Sequence, residues 1–455
     1  MKTIAAISTA PAVGGIGVIR ISGEQAIEIA QSVFRPLSTK KSLSEMKGYT
    51  AAFGFVYAPD NTKLDECVAL VFRAPHSYTG ENVVELSCHG GLFLLKKVLE
   101  AVYAAGAVPA EAGEFTKRAF LNKKIDLTEA EAVASIIAAH SDASAAAALS
   151  AKEGALFQTI QKITSDLVLL SAHLAAWTDY PDDDIDALGF EQLEKSLRDT
   201  KQECEVLLST FDTARIVSEG VDTAIVGRTN VGKSSLMNLI CGEEKSIVTE
   251  IEGTTRDVVE TAVRMGNAVL KLSDTAGLRE SEDKVEQIGI ELSRKKVSSA
   301  SFILAVFDCS KPLEEEDFAL LEAIKNKRAI LVMNKSDLSA VWEPAILEQY
   351  GKTVVSLSAK AGEGYQSLVS AVEQTLGTKE FNPYAPMLAT ERQKVCLSAA
   401  LTCINEALDA IHMGLTLDAV NVSIDSAIGS LLELTGERAT EKITEEIFKN
   451  FCVGK

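Results

Sequence analysis

The segment Gly227-Arg228-Thr229-Asn230-Val231-Gly232-Lys233-Ser234 has the composition and spacing to hold a row of phosphates. Its glycines let consecutive backbone N–H groups close around phosphate oxygens at a helix amino terminus. Lys233 can reach the outer phosphates, and the Ser234 hydroxyl is a hard oxygen ligand suited to magnesium. Asp274-Thr275-Ala276-Gly277 adds a carboxylate that acts on magnesium through water and a glycine N–H for the terminal phosphate. In Asn334-Lys335-Ser336-Asp337, the Asp337 carboxylate can accept from both the ring N–H and the exocyclic amine of guanine. Adenine presents a mismatched edge, and polar readout of this kind discriminates by ~10⁴ or more. Ser358-Ala359-Lys360 would buttress the base. A single pattern of this sort arises by chance; four in this order, each behind an apolar run, specify a guanine-nucleotide pocket. Between the first two, Gly253-Thr254-Thr255-Arg256-Asp257 is a polar loop in which Thr255 can complete the magnesium shell once a terminal phosphate is present. Leu278 follows Gly277, so the glutamine that orients attacking water in many small GTPases is missing and another group must position it.

These segments need strands to present them. Ala224-Ile225-Val226, Val269 to Leu272 and Ala329 to Met333 supply three, a fourth precedes Ser358, and Ser235 belongs to the helix that the first loop opens. Strand–helix alternation from Thr223 to about Leu376 predicts a mostly parallel, doubly wound sheet with crossover helices. Residues 1 to 118 mix strand-like runs (Ile16 to Ile21, Glu66 to Phe72) with amphipathic stretches (Glu24 to Phe34, Leu92 to Ala105), which predicts an α+β domain. Leu127 to about Ala176 is Ala-rich helix, and a turn-rich acidic stretch, Tyr180-Pro181-Asp182-Asp183-Asp184, precedes a helix from about Glu191 to Leu208. Helices return at roughly 388 to 413, 419 to 434 and 440 to 450. Neither helical flank is long enough to bury a good core alone, so the two are expected to pack together with the nucleotide module inserted between them. The expected layout of this multidomain α/β chain is 1–118, 119–216 and 379–455 for the split helical part, and 217–378 for the nucleotide module.

A chain of 455 residues exceeds what one core serves, and 47% hydrophobic with 24% charged residues excludes general disorder. The formal charge of −19 argues against a protein that grips nucleic acid through its overall field. Residues 1 to 118 are close to neutral, so the deficit lies beyond them and a nucleic-acid partner must be met locally. The cysteines are scattered singly with no C-x-x-C pair, which suits a reducing compartment. The start, Met1 to Ile7, has too short an apolar run for a signal peptide and reads as a first strand. No run approaches a membrane span, so a cytoplasmic protein is expected.

With these motifs the chain resembles, over its whole length, the tRNA-modification GTPase family called MnmE or TrmE. The resemblance is carried also by Gly17-Val18-Ile19-Arg20-Ile21-Ser22-Gly23, by Cys88-His89-Gly90-Gly91, and by Gly113-Glu114-Phe115-Thr116-Lys117-Arg118-Ala119-Phe120-Leu121-Asn122. The carboxyl-terminal Phe451-Cys452-Val453-Gly454-Lys455 carries it too. It implies an amino-terminal folate-binding and dimerising domain, a split helical domain and an inserted G domain. It further implies a homodimer that, with a flavin-dependent partner subunit in a heterotetramer, adds an aminomethyl or carboxymethylaminomethyl group to carbon 5 of the wobble uridine of tRNA. The one-carbon unit would come from a tetrahydrofolate, as a 5-formyl or methylene form.

The resemblance also implies a potassium ion beside the phosphates, with matching positions at Asn230, Thr249, Ile251 and Thr254, and a nucleotide-contacting loop of Thr249, Glu250, Ile251, Glu252, Gly253, Thr254 and Thr255. It maps the catalytic acid to Glu286. Taken alone, Asn230 reads as a turn residue and Glu286 as part of a solvated charge run. Matching folate positions are Arg20, Glu85, Lys124 and Lys455. A carboxylate suits a pterin edge and cations suit a polyglutamate tail, though Arg20 and Glu85 also read as surface charges on strands. Cys452 is either a thiol near the one-carbon chemistry or a small buried hydrophobe, and His89 reads as structural. Thr390-Glu391-Arg392-Gln393, where relatives often carry asparagine, and Lys123 beside Lys124 depart from the family pattern. Two other functions share the G domain: a ribosome-assembly switch, which should carry an RNA-binding module such as a KH fold, and a folate-dependent one-carbon transferase with a regulatory G domain.

Overall fold

The computed structural model describes residues 1–37, 42–179, 190–243, 261–272, 297–449, 451 and 453–454. Contacts divide the chain into two compact units. The first comprises Met1–Ala134, Ile160–Leu197 and Ala399–Lys455, and the second Ser135–Thr159 with Arg198–Ser398.

The first unit holds a seven-stranded sheet of β1 (Ile4–Ile7), β2 (Ile16–Ser22), β3 (Phe34–Pro36), β4 (Thr50–Tyr57), β5 (Lys63–Phe72), β6 (Val83–His89) and β7 (Val108–Pro109). Its order is β3-β4-β5-β6-β2-β1-β7, and every pair is antiparallel except β1 with β7. Side chains on a strand alternate between faces, and β5 shows it: Asp65, Cys67, Ala69 and Val71 are buried while Glu66 and Val68 are exposed. The helices Ala26–Val33 and Leu92–Ala104 share the core of the buried face, contributing Ile27, Ile29 and Val33, and Leu95, Val98 and Val102. On the other face Phe53 and Val68, opposite one another across β4 and β5, stay exposed.

The second unit holds a six-stranded sheet of β8 (Val221–Val226), β9 (Thr261–Met265), β10 (Ala268–Leu272), β11 (Phe302–Asp308), β12 (Arg328–Asn334) and β13 (Thr353–Ser356). The order is β13-β12-β11-β8-β10-β9, parallel throughout except for the edge strand β9. A parallel strand with both faces covered reads as one continuous apolar run, and β11 does. Phe302, Leu304 and Val306 pack in one core with Leu236, Ile240, Leu368 and Val372. Ile303, Ala305 and Phe307 pack in a second core with Leu321 and Ile324. The sheet is therefore wound on both sides, as the alternation in the sequence predicts.

The Ala-rich stretch is three helices, Leu127–Ile137, Asp142–Lys152 and Ala155–Asp179. The second starts where it does because the Ser141 hydroxyl accepts the Ser144 N–H at 3.0 Å. Phe190–Ser218 runs well past the expected end at Leu208, since Leu207, Phe211, Ala214 and Val217 continue its buried stripe through a stretch rich in Ser and Thr. Helices before and after the six-stranded sheet touch within each unit. Ser171 donates to Asp425 at 2.8 Å and His412 meets Glu194 at 2.9 Å in the first, and Lys394 lies over the Phe211 ring in the second. Among the described residues one helix, Glu391–His412, is long and apolar enough to cross a membrane. Its Leu397, Ala400, Ile404 and Ala407 are fully buried, as in a core helix.

Candidate nucleotide-binding site

Ligands of open α/β sheets bind at the carboxyl ends of the strands, and those of the predicted nucleotide residues that the structure describes gather there. The phosphate loop leaves β8 at Gly227 and enters the helix Lys233–Glu243. Two positions demand glycine. Gly227 and Gly232 have φ of 150° and 98°, and a Cβ would run into the Val306 carbonyl at the first and the Asn334 amide at the second. Asn230 is left-handed at φ 63°, a conformation asparagine tolerates better than most residues. Lys233 folds onto its own loop, Nζ donating to the carbonyls of Gly227 at 2.9 Å and Arg228 at 2.5 Å. Val231 is buried, whereas Ser234 and Ser235 are exposed in the first turn of the helix.

The predicted base-recognition residues are joined directly to that loop. Asn334, at the end of β12 and 2% exposed, donates from Nδ2 to the Val231 carbonyl at 2.8 Å and accepts the Ala359 N–H at 2.9 Å. It thereby ties together the phosphate loop, its own segment and the 358–360 loop. Lys335 donates from Nζ to the Asn230 carbonyl at 2.9 Å and to Asp308 Oδ2 at 2.6 Å. Ser358 donates from Oγ to Asp337 Oδ1 at 2.6 Å, and that hydrogen bond is the main reason the Asp337 carboxyl titrates below its usual range. Ser336 and Lys360 are exposed beside them. The arrangement leaves Asp337 an ionised acceptor with one oxygen oriented by Ser358, the polarity that a guanine edge requires.

Asp308 was not among the residues singled out from the sequence. It ends the apolar run of β11, and an acid at the carboxyl end of a buried parallel strand is the signal that could have found it. Burial raises its carboxyl pKa, but hydrogen bonds from Lys335 and Ser310 more than offset that and hold it below the usual range. The segment is fixed from behind by Trp342, whose Nε1 donates to the carbonyls of Asp308 and Lys311.

In the first unit, Arg20 and Glu85 face one another across β2 and β6, with Nε to Oε1 at 2.8 Å. The Arg20 guanidinium lies over the rings of Tyr78 and Phe115 and donates to the Gly454 carbonyl at 3.4 Å. The end of the chain is thus brought to the amino-terminal sheet. Val453 bridges to Ala112, Ser8 donates to the Gly454 carbonyl, and the Phe448 ring lies against Phe120 and Phe451. Lys124 makes its contact at the Pro75 carbonyl, 3.2 Å away. His89 is held through Nδ1 by Asp65 at 2.7 Å, a hydrogen bond that raises the imidazole pKa. Thr249, Glu250, Ile251, Glu252, Gly253, Thr254, Thr255, Asp274, Thr275, Ala276, Gly277, Glu286, Cys452 and Lys455 lie outside the described residues. Among those described there is no His/Cys/Asp/Glu cluster that could hold a metal ion. The predicted magnesium ligand Ser234 is a hydroxyl.

The family model for the GTP-binding protein TrmE N-terminus matches residues 3–124, and that for the MnmE helical domain matches residues 127–452. The chain is 39% identical over 456 residues to the tRNA modification GTPase MnmE of Clostridioides difficile, covering 100% of this chain and 99% of that one. Those of Alkaliphilus metalliredigens and Symbiobacterium thermophilum are each 39% identical over 457 residues with the same coverage. Among solved structures, the G domain of the T. maritima FeoB iron transporter aligns at 26% identity, covering 34% of this chain and 98% of its own, with a TM-score of 0.26.

Proposed function

The chain belongs to the MnmE family of tRNA modification GTPases, and we propose on that footing that its GTP hydrolysis serves the building of an aminomethyl or carboxymethylaminomethyl group on carbon 5 of the wobble uridine of tRNA. The single observation that carries GTP as the substrate is the welded pocket floor. Asn334 and Lys335 bond to the carbonyls of Val231 and Asn230, so the guanine-reading Asp337 and the phosphate loop are parts of one rigid edge. A nucleotide that must reach a base acceptor and a phosphate loop at once binds best where their separation is fixed in advance, and rigidity of that kind supplies it.

Magnesium fits the donor set. The exposed Ser234 hydroxyl in the first helical turn would hold it with Thr255, and the ion would supply positive charge against the charge that develops on the phosphates. Lys233, now bonded to loop carbonyls, would exchange these for the outer phosphates. Asn230, Thr249, Ile251 and Thr254 are the proposed potassium ligands, and Glu286 the acid that orders water in place of the missing glutamine. Glu286→Ala is expected to slow hydrolysis ~10²-fold or more while nucleotide affinity is nearly kept. A large loss of affinity measured with a fluorescent nucleotide would make Glu286 structural instead.

A tetrahydrofolate derivative is proposed at Arg20, Glu85, Lys124 and Lys455. Its support is the half-buried Arg20–Glu85 pair beside the aromatic rings of Tyr78 and Phe115 and the Gly454 carbonyl, which gives a flat heterocycle both hydrogen-bonding and stacking partners. Homodimerisation through residues 1–118 is supported by the exposed Phe53 and Val68 on the open sheet face. A flavin-dependent subunit completes the proposed heterotetramer. The layout we propose keeps residues 1–118 as the folate domain, 217–378 as the G domain and the flanking segments as one split helical domain.

The experiment is mass spectrometry of nucleosides from total tRNA of a strain lacking the gene, its parent and a complemented strain. Loss and restoration of the carbon-5 modification is the expected result. An unchanged profile would leave a GTPase without this pathway and reopen the ribosome-assembly and folate-transferase readings.

A further inference from the structure

Arg228 is the second residue of the phosphate loop, and its side chain is engaged with the first turn of the helix Glu315–Ala323. Nη1 lies 3.0 Å from Asp317 Oδ2, Nη2 lies 2.5 Å from Glu314 Oε1, and Nε lies 3.9 Å from Glu316 Oε2. The three pairs are not equal. Glu314 and Glu316 are 58% and 61% exposed, and ion pairs with exposed carboxylates contribute little. Asp317 is 4% exposed, and its Oδ2 also accepts the Glu314 N–H at 3.0 Å, so one buried carboxylate both caps the helix and receives the guanidinium. Hydrogen bonds to a charged, desolvated group are the strong ones.

On the other side of the same residue, the Arg228 carbonyl, with that of Gly227, accepts Lys233 Nζ. The residue that holds the phosphate-binding lysine by its backbone is therefore the residue anchored by its side chain. The Gly227 conformation is open to few residues and confers no rigidity by itself, and a loop of consecutive phosphate-binding N–H groups loses affinity by whatever ordering it must undergo on binding.

We propose that Arg228 and Asp317 are a positioning pair for the phosphate loop, holding it preorganised for the nucleotide from outside the pocket; this rests on the GTPase reading. Neither residue touches the reacting atoms. The loop contacts phosphates before and during the reaction alike, so loosening it weakens binding in both states and leaves the chemical step nearly untouched.

The test uses the full-length protein with Arg228→Gln, Asp317→Asn, the double variant, Arg228→Lys and Glu316→Gln. Asp317→Asn keeps an oxygen to accept the Glu314 N–H, so the helix retains its cap. Each of the first two is expected to raise KM for GTP and the release rate of a fluorescent GDP about tenfold, with kcat within about twofold. The double variant should be no worse than either single, Arg228→Lys should recover part of the loss, and Glu316→Gln should match the unaltered protein. Unchanged KM and release rate, or losses that multiply to about a hundredfold in the double variant, would overturn the proposal. So would a lowered melting temperature with normal GDP release, which marks an ordinary fold contact. Failure of the unaltered protein to hydrolyse GTP would instead strike at the reading on which the pair's role rests.

Discussion

Asp337→Asn is expected to lower kcat/KM for GTP by ~10³-fold or more and to make XTP the better substrate. Guanine presents two donors in a row, the ring N–H and the exocyclic amine, and a carboxylate presents two acceptors. Ser358 donates to Oδ1 at 2.6 Å and orients the group, leaving the other oxygen and the remaining lone pairs for the base. An amide keeps one acceptor and turns the other into a donor. Facing the guanine amine, that donor leaves two N–H groups opposed and neither with a partner in the pair. Xanthine carries a carbonyl where guanine has the amine, so the same amide becomes complementary. Ser358 can still donate to the amide oxygen, and the side chain at 337 is exposed, so the fold should not suffer. Steady-state rates with GTP and XTP decide it; a variant that still prefers GTP would remove Asp337 from base recognition.

The pH dependence follows from the same contact. The hydrogen bond from Ser358 holds the Asp337 carboxyl below its usual range, so the group stays ionised through mild acidity. A depressed pKa means that the acceptor is fully present above the ordinary carboxylate range and is lost only as pH falls through the lowered value. GDP affinity should accordingly be insensitive to this group from about pH 7 down to about pH 5.

What was legible in the sequence and what was not divide along a physical line. Segments 227–234, 334–337 and 358–360 stand together at the strand ends where the sequence places them, because each carries residue types suited to phosphate or guanine at fixed short spacings and each follows an apolar run of strand length. The winding of the sheet was legible for a similar reason: a run such as Phe302 to Phe307, apolar at every position, needs both faces covered. The pairs that stiffen the pocket were not. Arg228 and Asp317 are 89 residues apart and Lys335 and Asp308 are 27 apart, and each acid alone looks like part of a helix start or the end of a strand. Such partners are set by where loops meet at the strand ends, which local spacing does not encode. The carboxyl terminus is the extreme case, its Gly454 carbonyl reaching Arg20 from 434 residues away. The end of the helix Phe190–Ser218 was misjudged because Ser and Thr lower helix propensity, while burial of Phe211 and Val217 overrides it.

Asn230→Gly is expected to abolish potassium stimulation of hydrolysis, lowering the rate in potassium ~10²-fold toward the rate in sodium while GDP affinity is kept. The proposed monovalent cation beside the phosphates would supply positive charge of the kind that an arginine finger supplies elsewhere, where it is worth ~10³–10⁵ in kcat; removal of one side-chain oxygen from its shell should forfeit much of the effect. The choice of glycine matters. Asn230 sits at φ 63°, where an alanine would add roughly 1–2 kcal/mol of backbone strain and confound ligand loss with loop distortion. Glycine adopts that conformation freely and keeps the carbonyl that accepts Lys335 Nζ at 2.9 Å, so only the side-chain amide is lost. Initial rates at matched ionic strength separate the alternatives. Equal rates in potassium and sodium for the unaltered protein would sink the cation assignment altogether. A stimulated Asn230→Gly variant would instead return Asn230 to the role that its left-handed backbone alone explains, that of a turn residue in a tight loop.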